Sequence, residues 1–388
     1  MSKARIVLAT RFLAGYPRGG GIWAWALQYV KGLQALGHSV FLIDVLAQSS
    51  RPVCDGRRVA IFLERMNRLG LAGQCAVLLA PRKPIESFEE LTVHGVSETR
   101  LCDEIRDADV LWNLAWALSA PLVHRFRRSV LLDVDPGVLQ VSASAWDMKL
   151  DQHDVLMTSG TKINDPDCAI PKLGLIWRPF LQPIYLPDWE PAPDLGPHAP
   201  ATSVTQWNWP EEFRLGARVF SDSKREGYLR YLNIPQLSSH SFKLAANIHV
   251  NDKTGDIQLL ESHGWELVAP HLVAGTAQAY ARFIRNSRCE FSCAKPIYVD
   301  LKTGWFSERS AAYLACGRPV VVENTGVGGH IETGVGLLTF SCISEAVDAL
   351  ESVASNYSLH QRAARELAET YFSFHRVLPK LIQSSFEG

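Results

Sequence analysis

No apolar stretch in these 388 residues reaches the ~18 that a membrane span requires. The opening MSKARIVLATRF holds one short strand-like apolar run and no signal-peptide core. An excess of charge is missing too: 39 Lys and Arg stand against 40 Asp and Glu, for a formal net charge of −1. No bulk field therefore gathers nucleic acid or an anionic membrane. The eight cysteines are scattered without a CxxC pair, and the closest two, Cys289 and Cys293, have three residues between them. They read as reduced thiols of a cytoplasmic protein, not as a disulfide framework or a zinc site. His249, His263, His271 and His330 show no metal-ligand spacing and read as structural, with His330, behind Gly328-Gly329, able to approach a ligand. No solenoid-type repeat is present.

What is present is length enough for two cores and a pattern that alternates strand and helix. Ala4–Thr10 is a continuous apolar strand of the kind buried on both faces of a parallel sheet. A long loop leads to Gly19-Gly20-Gly21 and a helix over Ile22–Leu36, where Trp23 and Trp25 read as packing residues. A second strand over Val40–Val45 follows. Gly19, Gly21 and Ala24 fit G-x-G-x-x-A, and Asp44 stands where a ribose-binding acid would. This pattern keeps open an NAD(P)-dependent oxidoreductase, although the first Gly of that fingerprint belongs close behind the strand. A helix over Arg57–Leu69 and further strands, the last at His153–Thr158, complete this half. Residues 165–200 are proline-rich and mark a linker. The pattern places one domain at 1–180, a second at 181–355 and terminal helices at 356–388, broken near Pro379. Within the second, Phe220–Leu232 is expected to hold a helix and Phe242–Val250 a strand.

The most informative stretch is FSCAKPIYVDLKTGWFSERSAAYLACGRPVVVENTG, residues 291–326. Ser307 caps a helix over Ala311–Cys316, Gly317 ends it, and Pro319–Glu323 is a strand running out into Asn324-Thr325-Gly326. A capped helix start offers free N–H groups and a positive dipole end to an anion. Lys295 and Arg309 add cationic donors suited to phosphate oxygens. Asp133-Val-Asp135, after the strand over Val130–Leu132, supplies carboxylates at a strand end. One of them is a candidate base for an acceptor hydroxyl. Asp-x-Asp is also a divalent-ion motif, which leaves a metal-dependent transferase open. Capping of the following turn explains the same two residues equally well.

The run KTGWFSERSAAYLACGRPVVVENTG resembles the donor-site segment of GT-B glycosyltransferases, especially a bacterial group with a GWFS-x-RS…YLA-x-GRPVV…TG signature. The likeness is strong across the C-terminal half and weak across the N-terminal half. It implies two Rossmann-like doubly wound domains facing across a cleft, and transfer of a sugar from a nucleoside diphosphate sugar to an acceptor hydroxyl. By the resemblance the donor meets Lys295, Gly304, Trp305, Ser307, Arg309, Ser310, Glu323, Asn324, Thr325, Gly326 and Lys224. Gly20 and Gly21 lie at the acceptor side, with Asp133 and Asp135 as catalytic carboxylates. Neither cofactor nor metal is expected, and the acceptor class stays open among small molecules, glycans, lipids, proteins and modified DNA. Many retaining members carry a second Glu a fixed short distance after the first in this segment. Here the residue eight after Glu308 is Cys316 and eight after Glu323 is Ile331, so retention is unsupported. A non-catalytic sugar-nucleotide-binding protein is the remaining alternative.

Overall fold

A computed structural model describes residues 3–81, 85–208, 211–248 and 254–387. The first sheet contains β1 (Arg5–Thr10), β2 (Ser39–Ala47), β3 (Cys75–Ala80), β4 (Thr92–His94), β5 (Val110–Leu114), β6 (Ser129–Asp133), β7 (Val155–Thr158) and β8 (Trp177–Pro179). Its order is β4-β3-β2-β1-β5-β6-β7-β8, parallel except for β4 at one edge. The second sheet contains β9 (Ala201–Thr205), β12 (Phe242–Ala246), β13 (Trp265–Val268), β14 (Cys289–Ser292), β15 (Val320–Glu323) and β16 (Leu337–Phe340). Its order is β13-β12-β9-β14-β15-β16, parallel throughout. Between β9 and β12 lies a hairpin of β10 (Glu212–Leu215) and β11 (Arg218–Ser221).

Both sheets reverse their winding once, between β1 and β5 and between β9 and β14. In an open α/β sheet the crevice at the carboxyl ends of such neighbouring strands is where ligands bind. The loops after β1, β6, β9 and β14 meet across the interface, and this is what fixes the site.

Local chemistry explains the departures from the sequence pattern. Residues 218–221 pair as β11, so the following helix spans only Lys224–Arg230. The strand expected over Phe242–Val250 ends at Ala246, and His249 and Val250 lie outside the described residues. Pro379 does not break the last helix, which runs Phe374–Phe386 through it. The interruption falls at Ser373, where the Ile184 N–H donates to the Phe372 carbonyl and the Phe374 N–H donates to Ile184. Pro379 is the sixth residue of this helix and forgoes one ladder donor, and the helix continues past it. This helix crosses back onto the first domain. Gly32 lies against Leu378 and Phe374, Trp112 Nε1 donates to Ser385 Oγ at 2.9 Å, and Arg178 donates to the Ser384 carbonyl.

Backbone contacts at two places help hold the domains together. At one the helix Gly20–Ala35 starts against the second domain, and the Gly20 N–H donates to the Ala274 carbonyl at 3.0 Å. A Cβ on Gly20 would lie 2.3 Å from the Ala274 and Thr276 carbonyl oxygens, whereas one on Gly21 would meet only the Tyr280 ring at 3.2 Å. At the other Thr161 Oγ1 donates to the Gly304 carbonyl at 2.8 Å, and the Lys162 N–H donates to Thr303. Overpacking against rigid backbone costs about 1–3 kcal/mol. Gly20→Ala is therefore expected to lower the melting temperature measurably, and Gly21→Ala to lower it less, as read by calorimetry on the two variants.

Candidate active site

A cleft of about 1040 Å³ opens between the domains. The second domain contributes Lys295 after β14, Asp222 and Arg309, and the first contributes Asp135 after β6 and the glycine-rich loop after β1. Across it Lys295 Nζ donates to both carboxylate oxygens of Asp135, at 2.8 and 3.0 Å, and the Tyr298 hydroxyl donates to the same carboxylate. Asp222 stands 3.8 Å from the same ammonium, and burial pushes its carboxyl up to about 6 despite the nearby charge. One of its oxygens, Oδ1, is buried without a hydrogen-bond partner among the described residues.

The paired acids of the Asp-x-Asp segment have different environments. Asp133 ends β6 fully buried and accepts from Gln140 Nε2, Thr158 Oγ1 and the Asp135 N–H. Burial raises its carboxyl to about 6. With its oxygens occupied and no route to solvent, Asp133 organises the loop and does not reach the cleft. Asp135 points out, its side chain 41 % exposed. Asp44 is likewise consumed: Thr10 Oγ1 and the N–H groups of Phe12, Leu13 and Ala14 all donate to it. It ties down the loop after β1 and has no free oxygen for a ribose. The dinucleotide reading of Gly19, Gly21 and Asp44 is corrected on that geometry.

The donor segment is split by the fold. Lys295, Arg309 and Glu308 line the cleft, whereas Trp305, Ser307, Ser310, Glu323 and Thr325 line a separate small pocket of about 10 Å³. That space admits about one water. Ser307 caps the helix Glu308–Ala315 by accepting the Arg309 N–H at 3.2 Å. The Glu308 and Ser310 N–H groups carry no hydrogen bond among the described residues. Glu323 is buried, accepts from Arg230 at 2.9 Å and from the Ala294 N–H at 3.0 Å, and burial raises its carboxyl. Thr325 Oγ1 donates to the Trp305 carbonyl, and Asn324 Oδ1 accepts the Gly326 N–H in a local turn. Gly304 and Gly326 face Thr161 and Lys162 across the domain contact. Gly304, Asn324 and Gly326 do not line the cleft.

Arg309 is the sharpest departure from the sequence reading. Its guanidinium is buried and donates to Glu290 at 2.7 Å, Ser292 Oγ at 2.6 Å and the Val204 carbonyl at 3.0 Å. Glu290 is fully buried. Lys224 is the opposite case: half-buried, 5.7 Å above the Trp305 ring and without an ion pair among the described residues. Burial, then the nearby charges of Arg309 and Lys295, pull its ammonium down to about 7. Sequence reasoning singled out neither Tyr298 nor Asp222. Tyr298 follows Lys295 by three positions, one turn on the Pro296–Asp300 helix, and that spacing is the signal that points to it. His330 pairs with Asp165 at 3.0 Å, as part of the domain contact. Among the described residues no three His, Cys, Asp or Glu side chains converge on a metal position, and no helix is long and apolar enough to cross a membrane.

No protein-family model matches this chain, and no curated protein sequence does. Solved structures match over its full length. An alpha-glucosyltransferase in complex with UDP and a DNA 13-mer aligns with a TM-score of 0.61 at 9 % identity, covering 100 % of both chains. Sucrose-phosphate synthase from Thermosynechococcus elongatus aligns at 0.56 and 11 % identity over 98 % of each chain. Anabaena HepE in complex with UDP and glucose aligns at 0.56 and 9 % identity, covering 98 % of this chain and 99 % of that one. The fold is GT-B. The cleft described above lies beside the loops that leave the two sheets at their switch points.

Removing one member of a buried ion pair costs about 3–5 kcal/mol because the other charge is stranded. Arg309→Ala is therefore expected to unfold at markedly lower urea concentration, with Arg309→Ala/Glu290→Gln recovering part of the loss. Denaturation curves of the three proteins test this.

Proposed function

We propose that this protein is a glycosyltransferase, moving a sugar from a nucleoside diphosphate sugar to an acceptor hydroxyl without a bound metal. The observation that carries the reading is an exchangeable ion pair across the cleft, Lys295 of the second domain with the 41 % exposed Asp135 of the first, together with Lys224 of the second domain, which has no ion pair among the described residues. UDP is the first nucleotide to test, because the alpha-glucosyltransferase and HepE structures hold it.

The donor diphosphate lies against Lys224 and Lys295 and the free N–H groups at the start of the Glu308–Ala315 helix. Lys295 then exchanges its carboxylate partner for phosphate oxygen, and Asp135 is released. The bond between the sugar's anomeric carbon and the phosphate oxygen breaks, and its electron pair leaves with the nucleoside diphosphate. The acceptor oxygen forms the new bond and its proton passes to Asp135. Charge grows on the leaving diphosphate as the bond breaks, so fixed cations there stabilise the transition state more than the ground state. The lysines supply the charge that a divalent ion supplies elsewhere, and Glu323 and Thr325 are assigned to ribose or sugar hydroxyls when the small cavity opens. Gly20 and Gly21 border the acceptor side, and an NAD(P) cofactor plays no part. Cytoplasmic residence fits the eight free thiols.

Three measurements test the reading. A thermal-shift screen of UDP-, GDP- and dTDP-sugars is expected to stabilise the chain with one series, undiminished by EDTA. No stabilisation by any series, or its loss in EDTA, overturns the proposal. Asp135→Asn is expected to lower kcat by about 10²–10⁴ while leaving donor affinity in place.

The Lys224 ammonium supplies a pH signature. Its proton is half lost near pH 7 in the free protein, and an adjacent diphosphate favours the charged form. Donor binding above pH 7 therefore takes up protons, and donor affinity falls as pH rises from 7 toward 9. Below pH 7 the lysine is already charged and uptake vanishes. Calorimetry of UDP in two buffers of different ionisation enthalpy at pH 8 reads the uptake directly, and Lys224→Met is expected to remove it.

A further inference from the structure

The helix Pro52–Arg68 turns one face to the cleft. Arg57, Ile61 and Arg65, spaced i, i+4 and i+8, line it together with Arg58, and Arg18 joins them from the loop after β1. Arg58 has a carboxylate at 3.5 Å, Asp55 of its own helix. Arg65 stacks over Trp23 at 4.8 Å. Arg18 and Arg57 are exposed and make no ion pair or hydrogen bond among the described residues. Four guanidinium groups on one wall of a cleft, in a chain whose net charge is −1, form a local positive field with too few internal counter-ions.

These arginines belong to the first domain, whereas Lys224 and Lys295 belong to the second. One anion on the donor wall leaves the opposite wall unanswered. A drug-sized ligand takes on the order of several hundred Å³, and the cleft of about 1040 Å³ leaves room for another small group.

We infer that the acceptor carries a phosphate ester, held by Arg18, Arg57 and their neighbours while its hydroxyl faces Asp135. The inference rests on the transferase reading and specifies its acceptor. Guanidinium forks match phosphate oxygens in two-point hydrogen bonds, which gives orientation as well as charge. The phosphate is a handle and takes no part in bond making, so no further reactant is needed.

The test uses the full chain saturated with UDP. Titration calorimetry at fixed low ionic strength compares inorganic phosphate and glucose 6-phosphate with glucose. Flotation compares phosphatidylinositol-containing vesicles with pure phosphatidylcholine vesicles, and a short DNA duplex serves as the polymer. At least tenfold tighter binding of the phosphorylated soluble probe, or of the phosphatidylinositol vesicles, is expected. The first result assigns a free phosphorylated acceptor and the second a lipid headgroup. Arg18→Ala/Arg57→Ala, two exposed changes, is expected to abolish most of that preference and leave UDP affinity within twofold. The inference is overturned if no phosphate-bearing probe is preferred, if the variant keeps the preference, or if only DNA binds. It is equally overturned if the variant loses UDP affinity, because the arginines then serve the donor. Failure of the unaltered protein to bind any nucleotide sinks the transferase reading instead, and that control is read first.

Discussion

The Lys295–Asp135 ion pair joins the chemistry of one domain to that of the other. It spans the cleft, its members come from loops that follow β14 and β6, and Tyr298 and Asp222 crowd the same position. A charge pair of this kind is weak evidence for stability, since desolvation offsets most of the attraction. Its value lies in being exchangeable. A phosphate oxygen can replace the carboxylate at the ammonium without leaving either charge bare, and the carboxylate then faces whatever enters from the other side. The domain contacts at Gly20 and at Thr161–Gly304 hold the two loops close enough for that exchange.

Charges elsewhere in the interface show the contrasting use. Arg309 with Glu290, Asp44 with three backbone N–H groups, and Asp133 with Gln140 and Thr158 are buried and engaged, although Glu290 Oε2 accepts no hydrogen bond among the described residues. The two aspartates fix loops whose backbone has no sheet or helix to satisfy it, and Arg309 ties its helix to the strands β9 and β14. These residues set the shape of the cleft. The ones left over, Lys224, Arg18 and Arg57 among them, are free to meet a ligand. A sorting by unspent hydrogen-bonding capacity therefore separates scaffold from site more cleanly than a sorting by residue type.

The layered α/β fold was legible because buried parallel strands such as β1 and β5 are continuous apolar runs, and because Gly317 and the proline-rich linker punctuate them. The capped helix over Glu308–Ala315 and the strand behind it were legible as a unit, since a capped helix start followed by an apolar strand is a local pattern. What failed was the assignment of individual side chains within it. Arg309 read as a phosphate ligand because nothing nearby in sequence claims it, yet its partner Glu290 lies nineteen residues away on β14. Asp44 read as a ribose ligand by spacing alone, while the N–H groups that use it belong to a loop thirty residues earlier. Pro379 read as a break because a proline forgoes a ladder donor, yet the helix continues past it.

Strand, helix and cap positions followed from local chemistry: apolar periodicity, glycine at turns and Ser307 before its helix are forces acting over a few residues. Which of the charged groups are neutralised was decided only in three dimensions. An ion pair forms between surfaces that the chain brings together across a hundred residues or more, as with Asp135 and Lys295. The loss of water that tightens such a pairing exists only once the two surfaces meet. The sequence therefore specified a two-sheet protein with an anion-friendly helix start. Tertiary packing determined that Lys224 is left without an ion pair among the described residues and Lys295 holds an exchangeable one, whereas Arg309 is consumed by Glu290.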